Sequence, residues 1–135
     1  MLANELQAQT TGDQFEVDDV FAAVSRVHER VEGSYAAIAL VGGQGLLAFR
    51  DPNGIRPLIL GRKPEGMVGF EWVVASESLV LESGGYEVVR DVAPGEAVFI
   101  TPDGECHTRQ CAANPRLIPC SFEYVYLARP DSVMN

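Results

Sequence analysis

Basic residues are scarce. Only 10 Lys and Arg stand against 19 Asp and Glu in 135 residues, a formal charge of −9. The few cations are scattered, so a phosphate backbone would be repelled and nucleic acid is excluded as a partner. The same sign disfavours an anionic membrane surface. No apolar run approaches the roughly 18–20 residues that span a bilayer. The opening Met1-Leu2-Ala3-Asn4-Glu5 lacks a basic segment followed by an apolar one, so no secretory signal is expected. Cysteine is limited to three, an odd number that argues against a disulfide framework and for a reducing, cytoplasmic setting. There is no internal repeat and no low-complexity tract.

What is present is a hydrophobic fraction of 47%, enough for a folded core. A single domain of this length buries roughly two-thirds of its extended surface. Leu2 to Gln9 is rich in helix formers and is broken by Thr10-Thr11-Gly12-Asp13. Apolar residues then recur at Val17, Val20, Phe21, Val24, Val27 and Val31, which is helical spacing. Asp18 and Asp19 suit its positive end, and Arg26, His28 and Arg30 its negative end. Gly33 can stop it.

Beyond Gly33 the pattern is that of strands. Tyr35 to Val41 is apolar at every position, which predicts a strand covered on both faces. Gly42-Gly43-Gln44-Gly45 predicts a tight turn, with Leu46 to Arg50 returning as a hairpin partner. Asp51-Pro52-Asn53-Gly54 is a strong turn. Leu58 to Gly61 and Trp72 to Ala75 read as short strands, and Ser76 to Ser83 as one or two helical turns closed by Gly84-Gly85. Tyr86 to Val92, Ala97 to Thr101, Cys106 to Cys111 and Phe122 to Leu127 complete the strand series. Helices followed by mostly antiparallel strands predict an α+β fold, with helices outside the sheets.

Several segments could carry chemistry. A phosphate cradle at Gly42 to Gly45 would need a helix directly after it, and a strand follows instead. Cys106, His107, Cys111 and Cys120 are metal-ligand types, but no Cys-x2-Cys pair occurs. Cys106 and His107 also point to opposite faces of one strand. No Gly-x-Ser-x-Gly elbow is present. Ser76-Glu77-Ser78 follows a strand, and helix capping explains it as well as catalysis would. The densest segment is Asp51-Pro52-Asn53-Gly54-Ile55-Arg56-Pro57. It reads either as a substrate loop or as a rigid corner in which Arg50, Asp51 and Arg56 pair and brace the backbone.

Five stretches carry a resemblance. Ala48 to Leu58 (AFRDPNGIRPL), Val74-Ala75-Ser76-Glu77-Ser78 and Pro94-Gly95-Glu96 resemble class II glutamine amidotransferases. Arg90 to Glu96, Thr108-Arg109-Gln110-Cys111 and Cys120-Ser121-Phe122-Glu123-Tyr124-Val125-Tyr126-Leu127-Ala128-Arg129-Pro130-Asp131-Ser132 are similar, within that class, to the amidophosphoribosyltransferase family. The resemblance runs from about Val17 to the last residue. It implies an N-terminal-nucleophile αββα sandwich, present in part. Residues 1–135 would be the later portion of a glutaminase domain, ending at the junction to a phosphoribosyltransferase domain. It also implies that the parent protein uses glutamine and phosphoribosyl pyrophosphate to make phosphoribosylamine, the committed step of purine synthesis.

The same resemblance implies catalytic features that these 135 residues do not carry. The family's nucleophile is a cysteine exposed as the mature N-terminal residue, whereas Met1 is followed here by Leu2. The His-x-Arg-Tyr, His-Asn-Gly and Thr-Ser-Asp-Ser-Glu-like segments are absent. Asn53-Gly54, the one Asn-Gly pair, sits in the corner and does not match the oxyanion pair. No catalytic residue is therefore carried over. For cofactors, the resemblance implies magnesium in the parent and, in some members, an iron–sulfur cluster whose cysteine ligand matches Cys120. An alternative is a non-catalytic binding or regulatory module of the same fold. With part of the domain missing, open strand edges and apolar faces predict self-association into a homo-oligomer.

Overall fold

A computed structural model describes residues 1–10, 15–67 and 69–121. Helices α1 (Leu2–Gln9) and α2 (Val17–Arg30) come first, followed by β1 (Ala36–Val41) and β2 (Gly45–Arg50). Next come β3 (Ile59–Glu65), β4 (Gly69–Ala75) and the short α3 (Ser78–Ser83). The series ends with β5 (Glu87–Asp91), β6 (Glu96–Ile100) and β7 (Cys106–Gln110). The expected strand at Phe122 to Leu127 lies outside the described residues.

The valine periodicity of α2 is realised as a buried stripe of Val20, Phe21, Val24 and Val27, with Arg26 and Glu29 paired on the solvent side. The start of α2 is held by the Glu16 N–H, which donates to the Asp19 carboxylate at 3.1 Å. Helix α1 is tied to α2 by an ion pair between Glu5 and Arg30.

All strand pairings are antiparallel, in two sheets ordered β1-β2-β6-β7 and β4-β3-β5. Alternation along the strands sorts side chains into layers. Leu47, Phe49, Ala97 and Phe99 face the helices and join the α2 stripe in one core. Ala48 and Val98 point the other way and meet Leu58, Leu60 and Val92, closing a second core between the sheets. Ile59 and Ala75 emerge on the far side of the second sheet, where Leu81 of α3 covers them. The order is helix, sheet, sheet, helix, which agrees with the α+β expectation. Each fully buried Leu, Val or Phe stabilises this arrangement by about 1.5–3 kcal/mol.

The β1–β2 turn forms as expected, with the Gln44 N–H donating to the Val41 carbonyl at 2.9 Å. Gly45 adopts φ +147°, and a side chain there would run into the Ile100 carbonyl and the Phe99 ring. Only glycine fits.

One expectation is overturned. Strand β1 is not covered on both faces: Ala37 and Val41 pack toward the helices, but Ile38 is 52% and Leu40 81% exposed. Ile38 lies opposite Ala48 in register, on the inter-sheet side. Among the described residues the second sheet does not extend over it. β3 and β4 also run further than expected, through the Pro64–Phe70 pairing to Glu65 and Gly69.

Candidate functional site

The stretch that reads as the densest in chemistry is the corner between β2 and β3. Two of its charged residues sit at the end of a buried strand, with Arg50 5% and Asp51 0% exposed. They do not brace each other. The Arg50 guanidinium donates to three backbone carbonyls: Nε to Arg56 at 2.7 Å, Nη1 to Val92 at 2.7 Å and Nη2 to Gly54 at 2.8 Å. The Asp51 carboxylate accepts backbone N–H groups from Asn53 at 2.9 Å, Ile55 at 3.1 Å, Arg56 at 3.3 Å and Tyr35 at 3.4 Å. Each charge thus satisfies polar backbone that the sharp turn leaves unpaired. This corrects the expectation that Arg50 and Asp51 pair with each other; they brace the corner through its backbone instead.

Further bonds knit the corner into its surroundings. The Asp51 carbonyl accepts from Gly54 N–H at 3.0 Å and Gly95 N–H at 2.9 Å. The following segment docks on it, with Arg116 N–H on the Pro52 carbonyl and Ile118 N–H on the Asn53 carbonyl. Gly54 takes φ +59° against Pro94, a place where a side chain would collide with the ring. The adjoining cavity is about 20 Å³, lined by Arg50, Gly54, Pro57, Asp91, Leu117 and Cys120. That is room for a water molecule and not for an amino-acid substrate. Of the two readings, the geometry is that of a rigid corner.

A second polar connection was not visible in sequence. His28, half-buried on α2, bridges to the Tyr35 hydroxyl through Nδ1 at 2.7 Å and to the Gly95 carbonyl through Nε2 at 3.1 Å. A carbonyl only accepts, so Nε2 carries the proton and the neutral ring accepts from Tyr35 at Nδ1. Burial pushes the His28 pKa down, against an upward pull from the Gly95 bond and the Asp51 charge. Burial and, secondarily, the Asp51 charge push Tyr35 up to about 12. The partners are up to 67 positions apart in sequence, and no local pattern signals them.

An open groove of about 460 Å³ beside α2 is lined by Ser25, His28, Glu29, Gln110, Cys111 and Asn114. Cysteine and histidine together invite a nucleophile–base reading, but both His28 nitrogens are engaged elsewhere. Burial pushes the Cys111 thiol up, so it stays protonated, and it donates to the Arg109 carbonyl. A dyad is not formed.

The candidate metal residues are not brought together. Cys106 packs with the inter-sheet core and Cys111 with the helix-side core, on opposite faces of one sheet. His107 pairs with Glu105 at 3.4 Å, and Cys120 lies beside the corner. Among the described residues no group of three His, Cys, Asp or Glu could hold a metal ion. A single thiolate at Cys120 does not make a cluster site from these residues.

Comparison with known proteins decides the origin of this architecture. Over 122 residues, 90% of the chain, it is 52% identical to the amidophosphoribosyltransferase of Pasteurella multocida. The chain is homologous to part of amidophosphoribosyltransferase. The Haemophilus influenzae amidophosphoribosyltransferase is 47% identical over the whole chain. The solved glutamine phosphoribosylpyrophosphate amidotransferase of B. subtilis, complexed with ADP and GMP, superposes with a TM-score of 0.73 at 30% identity. That superposition covers 98% of this chain and 26% of the B. subtilis chain. No protein-family profile matches. The chain spans about a quarter of the length of the amidophosphoribosyltransferases it matches, 24% for Pasteurella and 26% for Haemophilus. The layered α+β fold is accordingly that of the N-terminal-nucleophile sandwich seen in these amidotransferases. Relatives of this kind do not favour a separate binding or regulatory module.

Proposed function

We propose that residues 1–135 are the later portion of the glutaminase domain of an amidophosphoribosyltransferase, ending near the junction to its phosphoribosyltransferase domain. In this reading the whole protein joins ammonia from glutamine to phosphoribosyl pyrophosphate, yielding phosphoribosylamine for purine synthesis in the cytoplasm. This stretch supplies scaffold. The supporting observation is that its most buried ionic groups, Arg50 and Asp51, are committed to backbone. Neither points at a substrate-sized space. Magnesium and any iron–sulfur cluster would belong to the whole protein, with Cys120 the one thiolate this stretch could offer.

Hydrolysis of glutamine by this route needs a nucleophile, a base and oxyanion donors within reach of one another. The described residues offer no such set. Purified 135-residue chain is therefore expected to release no ammonia from glutamine above a protein-free control. A covalent glutamyl adduct on this polypeptide, seen by mass spectrometry, would overturn the assignment.

A further inference from the structure

The corner holds its own shape without help from the chain that follows β7. The Asp51 carboxylate accepts the Asn53 N–H at 2.9 Å, and the Arg50 guanidinium donates to the Gly54 carbonyl at 2.8 Å. The adjacent carbonyls of Pro52 and Asn53 are thereby fixed in place. Their donors come from far along the chain: the Arg116 N–H reaches the Pro52 carbonyl at 2.9 Å and the Ile118 N–H the Asn53 carbonyl at 2.7 Å. On extended backbone, N–H groups two residues apart point the same way, so this spacing fits. A side-chain bond holds the same register, with Arg116 Nε donating to Asn53 Oδ1 at 3.1 Å. Leu117, between the two donors, lies against Gly54 and lines the small corner cavity with Cys120.

The near end of this segment is tied to the same corner. The Cys111 N–H donates to the Gly95 carbonyl at 3.0 Å, and the N–H of Gly95 donates to the Asp51 carbonyl at 2.9 Å. Gln110 donates from Nε2 to the Pro94 carbonyl and accepts the Ala112 N–H at Oε1, both at 2.9 Å. Between the two holds the chain is exposed, with Leu117 at 54% and Ile118 at 37%. None of the residues that build the three cores comes from 112–120. A segment that buries so little apolar surface belongs to the low-stability end of a fold.

We infer that residues 112–120 form a strap seated on the corner, that the strap releases as a unit while the cores stay folded, and that Asn53 is the positioning residue for its register. Asn53 holds the strap twice, by its carbonyl and by its side chain. Only the second hold depends on the identity of the residue. Release breaks the Arg116 and Ile118 bonds and leaves those of Arg50 and Asp51 intact, so the seat keeps its form while empty. The hinge is the near hold at Gln110 and Cys111. A corner too closed for a substrate thus has a task of its own, which is to fix the path of the chain beyond β7. The seat requires nothing of the enzymatic assignment above.

Native-state hydrogen exchange of the full 135-residue chain, read amide by amide by NMR across low denaturant concentrations, tests this. The Arg116 and Ile118 amides should be protected and should exchange through an opening that denaturant hardly affects. The Leu47 and Val98 amides should exchange only with global unfolding. Asn53→Ala should speed exchange at Arg116 and Ile118 by about threefold or more and leave the core amides unchanged. Asn53→Asp keeps an acceptor oxygen and should restore the protection. Unprotected Arg116 and Ile118 amides overturn the seat. Exchange at the rate of the core, with the denaturant dependence of the core, overturns separate release. The role of Asn53 is overturned if Asn53→Ala changes nothing or Asn53→Asp restores nothing. Should Asn53→Ala fail to fold, Arg116→Ala removes the same bond from the exposed strap and is held to the same outcomes.

Discussion

Strands β1 and β2 are hydrogen-bonded neighbours of nearly the same apolar character, yet they live in different environments. β2 is buried from Leu47 to Arg50, with α2 against one face and the second sheet against the other. β1 has the helix layer on one face and solvent on the other. Composition therefore tells which strands are suited to a doubly covered position. Whether the cover is present depends on elements far away in sequence. The ends of the two strands differ as well. β2 runs into a corner where Arg50 and Asp51 are committed to backbone, while the hairpin at the far end of β1 is held by a backbone turn bond and glycine geometry, with no ionic group.

The largest effect is expected where β2 meets the corner. Asp51→Ala strands several buried N–H groups and should cost about 4 kcal/mol or more, whereas Asp51→Asn keeps one acceptor oxygen and should cost less. Chemical denaturation measures both; equal losses would show that the carboxylate's bonds matter little. Within the strands, Leu47→Ala should cost about 3 kcal/mol through lost burial and the cavity left behind. Its counterpart Leu40→Ala, at an exposed site, should stay within about 0.5 kcal/mol at low protein concentration. Similar values for the two would erase the distinction between the strands.

A smaller effect comes from pH. His28 is held below its ordinary value of 6.5, so the fold favours the neutral ring. Below about pH 6.5 the unfolded chain binds the proton more readily, and stability falls as pH drops toward the folded value. His28→Gln should flatten that slope. Tyr35, raised to about 12, acts at the other end: its contribution is intact below about pH 10 and is lost as pH climbs toward 12. Tyr35→Phe should remove the alkaline loss. Thermal midpoints across pH read both.

Much of this was legible in sequence. The valine spacing of α2, the glycine turn at 42–45 and the corner at 51–54 are local signals, and each formed where it was expected. The coverage of β1 was misread because an all-apolar strand is equally consistent with burial and with an open edge. The ends of β3 and β4 were missed because Pro64 and Gly66 look like punctuation. β5 pairs with β3 only as far as Arg62, so Pro64 needs no donor on that side. At the candidate site the special residues were found and their partners were not. Arg50 reaches Val92, and His28 reaches Gly95, across distances that no motif spans.

Trp72 sits at the rim of the groove beneath β1, beside Leu40 and Ile100, with its indole N–H on the Gly104 carbonyl at 3.0 Å. It is the only tryptophan in the chain. The protein therefore carries its own optical reporter: any polypeptide that drains water from this groove will shift the indole emission toward the blue. The occupancy of the exposed strand can be followed by fluorescence without attaching a dye.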